Sequence, residues 1–432
     1  MSEFFSLACS DEASDETLAD SGGPLQPKRD AARSPWRWVI AVVMLATVVT
    51  GFFDRISIAV LFTDSGFNAA LGTAFRPEAL GLLMTAFLLA YAISALLLSF
   101  VGDVLGPRRA LGYAAALWGM MMALMGSTSS YAAMLAYRIV LGLSEGPQFS
   151  LISKTVQRWF PPHERARANA IWMIGSPLGS AIGFPLTIWL VASFGWRASF
   201  YVLGLLSFAI VMPLVFAVVR DQPPATAERV AAATAPSSLR LVDVRVVLAD
   251  RRVWLLSAYG AGLLTYLWGL NSWLPTYLER ERHFNLHQMG IYSSLPFILM
   301  FIAEMSSGYI SDRTGRCALL SVVGLLAAGL LLFAGTRVQD PHLAAIVIAC
   351  SAGAWGFGLP THYALAMRVL PASATSTGIG VINGIGNLVG AFAPALIGWV
   401  VATTGTFQTG LLVVVVASVL GSLTLLPLVR SY

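Results

Sequence analysis

The sequence predicts an all-α membrane protein: twelve transmembrane helices in two pseudo-symmetric six-helix bundles, with both termini in the cytoplasm. Three observations carry that expectation. Only 11% of the 432 residues are charged and 57% are hydrophobic, whereas an ordinary soluble chain carries about 25% charged residues. Apolar runs of about 20 residues recur along the chain, the length that crosses about 30 Å of hydrocarbon. A short polar loop pattern also returns half a chain length later. Only helices or closed barrels satisfy the backbone in lipid, and these runs lack the polar alternation of a barrel.

In chain order, residues 1–35 place six acidic side chains from Glu3 to Asp20 ahead of Lys28, Arg29 and Arg33. A secretory signal needs a basic start and an immediate apolar core, so this segment reads as a disordered cytoplasmic tail. Apolar runs follow at about 37–63, 79–101, 109–127, 131–153, 167–192 and 197–219, which makes 36–220 the first bundle. Residues 221–252 form the longest internal polar stretch. Its Pro/Ala/Thr/Ser half reads as a flexible linker, and Leu239–Arg252 reads as an amphipathic helix on the inner membrane face. Further runs at about 253–277, 288–310, 317–336, 342–367, 375–402 and 407–428 make 253–432 the second bundle. Arginines and lysines concentrate in alternate loops (Arg108, Arg109; Lys154, Arg158, Arg165, Arg167; Arg313, Arg316; Arg368), and the positive-inside rule puts those loops in the cytoplasm.

The halves repeat. Asp103, Gly106 and Arg108 after the second run match Asp312, Gly315 and Arg316 after the eighth, with the aspartates 209 positions apart. Such internal duplication, with a midplane site between the halves, is a known plan for secondary transporters.

Charges inside the apolar runs are the candidate functional groups, because burying a charge in lipid is costly. Arg138 and Glu145 are seven apart and return to nearly the same face of one helix, roughly 10 Å apart along its axis. Asp54 and Arg55 sit in the first run at a depth similar to that of Arg138. Glu304 in the eighth run is a further candidate proton site, or an ordinary interhelical partner. Tyr266, Trp268, Asn271 and Trp273 are either cavity lining or interfacial anchors. His362 follows Pro360, where a bend frees carbonyls, and Asn383 and Asn387 are four apart on one face. Gly175, Gly179 and Gly183 read as a close-packing surface.

The loop Gly308-Tyr309-Ile310-Ser311-Asp312-Arg313-Thr314-Gly315-Arg316 resembles the major facilitator superfamily loop motif; the first copy is degraded, with Ser99 and Val104 at two motif positions. Several stretches in order resemble the anion:cation symporter family within it. They are Gly51-Phe52-Phe53-Asp54-Arg55, then Arg138 with Glu145-Gly146-Pro147, Trp159–Ala166, Arg251-Arg252-Val253-Trp254, and Asn383-Gly384-Ile385-Gly386-Asn387. The resemblance runs from Trp36 over nearly the whole chain. It implies the major facilitator fold and proton-driven import of an organic anion. Asp54 and Glu145 would then bind protons, Arg55 would engage the substrate carboxylate, and Arg138 would partner Asp54. Tyr91, Asn383 and Asn387 would hydrogen-bond the substrate. Asp103, Arg108, Asp312, Arg313 and Arg316 would form the gating loops. Galactonate-type members have a tyrosine at Phe52 and a glutamine at Ser176, so both substrate-facing positions lose polarity here. That tilts the expected cargo from hexonates toward aromatic or less hydroxylated acids.

The expected function is thus proton-coupled import of a small carboxylate, such as a sugar acid or an aromatic acid, by alternating access. An exchanger or uniporter of the same anions, and a non-transporting ligand sensor, stay open as alternatives. No nucleophile–base set or Walker motif appears, and Gly384-Ile385-Gly386 lies inside a span with no preceding strand, so neither an enzyme nor an ATP-driven pump is expected. Cys9, Cys317 and Cys350 are too scattered for a disulfide or metal site. The expectation is a monomer in a bacterial inner membrane, with lipid, protons and the anion as partners, and no metal, cofactor or nucleic acid.

Overall fold

The computed structural model describes residues 35–98, 101–161, 164–221, 248–370 and 375–431, and leaves out the side chains of Asp103, Ala166, Asp312 and residues 375–377. The expected tail, and most of the linker with its amphipathic helix, lie outside the described residues.

All regular structure among the described residues is helical, and eleven helices are long and apolar enough to cross a membrane. The first set comprises α1 (Trp36–Leu61), the short α2 (Ser65–Leu71), α3 (Pro77–Leu97), the single turn α4 (Val101–Val104) and α5 (Pro107–Ser127). It continues with α6 (Tyr131–Glu145), α7 (Gln148–Trp159), α8 (Arg165–Met173), α9 (Gly175–Phe194) and α10 (Trp196–Leu205). After α10 a π-helical stretch, Leu206–Val211, leads into α11 (Met212–Val218). The second set is α12 (Arg251–Arg280), α13 (Leu286–Thr314), α14 (Cys317–Arg337), α15 (Pro341–Val369), α16 (Thr375–Gly390), α17 (Ala393–Thr404) and α18 (Phe407–Thr424). The span expected over 131–153 differs from the others. It is divided at Gly146–Pro147 into a helix of 15 residues and one of 12, so neither piece is long enough to count among the eleven.

Local chemistry sets the boundaries. Asp64, Asp250, Asn285, Asp340 and Thr406 each cap a helix by accepting a main-chain N–H, and Asn285 with Gln288 completes a capping box. The glycine of each loop-motif copy has positive φ, Gly106 at 79° and Gly315 at 69°. A side chain would strain both turns. The two loops are pinned differently. Arg108 donates to the Phe216 carbonyl and takes its own N–H to Asp221, whereas Arg368 donates to the Gly315 carbonyl at 2.6 Å.

The two sets meet mainly at the end that carries residues 62–76 and 281–285. Phe62 packs on Trp273 at 5.4 Å, Phe184 stacks on Phe297, and Arg280 lies 3.5 Å over the ring of Phe75. Thr85 accepts the Ala395 N–H at 3.0 Å, and glycines let backbones touch, since a Cβ on Gly81 or Gly398 would run into Pro394 or Pro77. At the opposite end the approach described is through a side chain, Leu96 against Gly384.

At that sealed end Arg282 ties the turn after α12 to the end of α14, within the second set. It donates to the Tyr277 hydroxyl and to the carbonyls of Gly335, Thr336 and Val338, which close the last turn of α14. A cation there satisfies carbonyls that a helix end leaves orphaned. Arg282→Ala is expected to cost about 2 kcal/mol, read as a melting temperature a few degrees lower in detergent, with Arg282→Lys recovering only part of the loss.

Candidate functional site

The charged residues of the first set converge on one buried cluster. On α1, positions 47, 51 and 55 lie on successive turns of one face. Arg55 is 1% exposed and Glu145 is 0% exposed, and Arg55 Nε donates to Glu145 Oε2 at 2.6 Å. Taking two charges out of water costs several kcal/mol each, which such a pair offsets only through close geometry. The guanidinium is also boxed by rings, with its carbon 4.8 Å from Phe52, 4.6 Å from Tyr91 and 5.7 Å from Phe149. Glu145 Oε1 is buried and has no hydrogen-bond partner among the described residues.

Gln148 completes the cluster. Its Oε1 accepts from Arg55 Nη2 at 3.2 Å and its Nε2 donates to the Thr47 carbonyl at 2.7 Å. Neither Gln148 nor Phe149 was among the residues expected from sequence, although Gln148 follows Glu145 by three, the spacing that makes side chains neighbours on a helix.

The break between Glu145 and Gln148 has a chemical cause. Pro147 brings no N–H, so the Leu143 carbonyl one turn earlier loses its helical partner. Ser94 of α3 supplies the missing donor, its hydroxyl bonding to the Leu143 carbonyl. Glycines bring the helices together for this: a Cβ on Gly142 would strike the Phe87 carbonyl, and one on Gly146 the Tyr91 carbonyl.

Arg138 and Asp54 meet differently from the expected ion pair. Arg138 is fully buried, but it reaches the main-chain carbonyls of Asp54 and Leu83, each at 3.4 Å, and lies 4.4 Å over Phe87. The Asp54 carboxylate instead faces Ser207 at 3.4 Å, and its Oδ1 has no hydrogen-bond partner among the described residues. Ser207 sits in the π-helical stretch, whose extra residue per turn rotates the hydroxyl inward. Similar depth did not fix direction: Asp54 and Arg55 are neighbours about 100° apart around α1 and look into different spaces.

The second set contributes neutral groups. Trp268 Nε1 donates to Asn387 Oδ1, Asn387 donates to Asn383 Oδ1, and the Tyr363 hydroxyl donates to the same oxygen. Tyr266 is tied to Ser351 at 2.5 Å and stacks on Trp355, and His362 packs on Tyr259 at 4.8 Å with Nδ1 unpartnered. Asn271 is buried with both amide atoms unpartnered among the described residues, and Pro275 brings no N–H to its carbonyl. Ser176 is half-buried on α9, beside the glycines that press on Val48, Phe52 and Ile56 of α1. Glu304 is half-buried on α13, apart from these groups. Arg313 lies over Tyr309 at 4.3 Å, Arg316 forms the N-cap position of α14, and the side chains of Asp103 and Asp312 lie outside the described residues.

The model for the Major Facilitator Superfamily matches residues 43–394. The hexuronate transporter of Bacillus subtilis is 28% identical over 406 residues, covering 91% of this chain and 94% of that protein. A probable sulfoacetate transporter of Cupriavidus necator is 28% identical over 392 residues, covering 86% and 89%. A probable galactarate/D-glucarate transporter of Escherichia coli is 25% identical over 430 residues, covering 91% and 93%. Among solved structures, a bacterial homologue of the human lysosomal transporter Spinster, inward-facing and unoccupied, superposes with a TM-score of 0.70 at 19% identity, covering 92% of this chain and 95% of that one. A D-xylose–proton symporter gives 0.71 at 14% identity, covering 90% and 97%.

Proposed function

We propose, from the premise that this chain belongs to the Major Facilitator Superfamily, that it is a secondary transporter moving a small organic anion together with protons by alternating access. The observation that carries this reading is the buried Arg55–Glu145 pair at 2.6 Å. An arginine stays charged at any working pH and presents a planar fork that suits a carboxylate. A carboxylate bound to it can be released by taking a proton. Proton on Glu145 and anion on Arg55 are then linked, and neither needs to travel alone through a low-dielectric site.

Relatives named for hexuronates, sulfoacetate and sugar diacids support an anionic cargo. The neutral Trp268–Asn387–Asn383–Tyr363 chain suits the polar remainder of such a molecule. The three rings around Arg55 favour a cargo with few hydroxyls next to its carboxylate. Asp54 is a second proton site in this reading. Arg138 carries the Asp54 turn of α1 on its main chain. The loop residues Asp103, Arg108, Asp312, Arg313 and Arg316 gate the two bundles.

The reading also takes α6 and α7 together as a twelfth span, 36–220 and 253–432 as two bundles, and 221–252 as the linker between them. Both termini then lie in the cytoplasm of the cell membrane, and the sealed end faces outward.

The test is uptake by the purified monomer in proteoliposomes, with D-glucuronate, D-glucarate, sulfoacetate and benzoate as the panel. An imposed inward proton gradient is expected to drive accumulation of at least one of them, with alkalinisation of the outer medium. Transport that ignores the gradient and needs an anion on the other side would make the protein an exchanger instead.

A further inference from the structure

We infer that Gln148 is a positioning residue for Arg55, a neutral tether that fixes the guanidinium while leaving its charge for the anion; this rests on Arg55 being the anion grip. Gln148 is 1% exposed and bridges two helices, accepting from Arg55 Nη2 and donating to Thr47. Its amide has one workable orientation. Arg55 offers only donors and the Thr47 carbonyl only accepts, so a flipped amide would face donor with donor and acceptor with acceptor. The bond to Thr47 therefore aims Oε1 at the arginine.

The space for this bridge comes from Gly51, one turn from both Thr47 and Arg55. A Cβ there would stand 3.2 Å from Oε1 and 3.3 Å from Nε2 of Gln148, tighter than ordinary contact. The bridge also divides the guanidinium. Glu145 takes Nε and Gln148 takes one Nη2 hydrogen, so both occupy the same edge of the fork. Tyr91 is a further, neutral hydrogen-bond partner of the guanidinium, so among the described residues Glu145 is the one anionic group bonded to Arg55 and an incoming carboxylate competes only with neutral partners for the rest of the fork.

Neutrality is the point of an amide here. A carboxylate at 148 would form a second ion pair and cancel the charge that attracts the cargo. Glu145 changes charge when it takes a proton, whereas Gln148 presents the same acceptor throughout and holds the arginine when Glu145 lets go. The charged and titratable groups around this position are Arg55 and Asp54 of α1, Tyr91 of α3, and Arg138 and Glu145 of α6. Lys154 and Arg158 of α7, Arg165 and Arg167 of α8, and Arg108 and Arg109 of α5 lie toward the far end of α7.

Three variants test the assignment in proteoliposomes, using the panel acid with the highest wild-type uptake. Gln148→Met keeps the length and loses both bonds; its KM for the anion is expected to rise about tenfold, with the maximal rate and the midpoint of the pH profile unmoved. Gln148→Asn, too short to reach both partners, should behave the same way. Gln148→Glu is expected to lose uptake near neutral pH and recover it on acidification, as the new carboxyl takes a proton and again offers a neutral acceptor. A residue that only holds helices together would lose rate at every pH in all three. A wild-type KM in Gln148→Met and Gln148→Asn, or a wild-type pH profile in Gln148→Glu, overturns the inference. Arg55→Ala separates the two readings. If it still binds the anion, the proposed function fails; if it does not while Gln148→Met keeps its KM, only the role of Gln148 fails.

Discussion

Glu145→Gln is expected to abolish accumulation of the anion against its gradient while leaving anion-for-anion exchange across the membrane. Glutamine is close in shape to a protonated glutamate and still accepts a hydrogen bond from Arg55 Nε, so the 2.6 Å contact is weakened rather than lost. It carries no exchangeable proton, and cargo can then move only down its own gradient. Counterflow with labelled substrate reads the exchange, and uptake under an imposed pH gradient reads the coupling. A Glu145→Gln protein that still concentrates substrate would end the coupling role. Glu145→Ala is a harsher change. It leaves the Arg55 charge buried among neutral partners, and removing one member of such a pair costs about 3–5 kcal/mol.

Arg55→Ala is expected to eliminate binding. Losing a buried charged contact costs about 2–5 kcal/mol, so an affinity loss of roughly 300-fold follows at the middle of that range. Thermal stabilisation by the substrate in detergent is the direct readout, since it needs no transport. Preserved stabilisation would move the anion site elsewhere. Arg55→Lys should bind weakly, because an ammonium offers a point charge without the planar fork that reaches Glu145, Gln148 and the anion together.

The parts of this molecule that the sequence discloses are those with local signatures. Apolar runs mark the spans, and the paired loop motifs mark the turns at Gly106 and Gly315, which both have positive φ. Buried charges mark the candidate site, because lipid makes a stray arginine expensive wherever it falls. What stays hidden is azimuth and pairing. Arg138 and Asp54 lie at matching depths, yet one guanidinium turns to backbone carbonyls and the other residue's carboxylate turns to a serine in a π-helical stretch that no periodicity announces. Gln148 is 93 residues from the arginine it holds. A glutamine after a proline reads as an ordinary helix start until the two helices are seen side by side.

The hydroxyl of Ser94 on the Leu143 carbonyl has a mechanical consequence. A proline break inside a span would ordinarily be a hinge, since one rung of the ladder is missing. Here the rung is replaced from a different helix, and Gly142 and Gly146 lay α6 directly on the backbone of α3. The joint is thereby splinted, and α3, α6 and the start of α7 are expected to move as one plate that carries Tyr91, Glu145 and Gln148 together. Arg55 stands on α1, outside the plate, joined to it only by side-chain bonds. Any sliding of α1 against that plate changes the grip on Arg55 while the groups that grip it keep their places. The splint makes the break a fixed jaw.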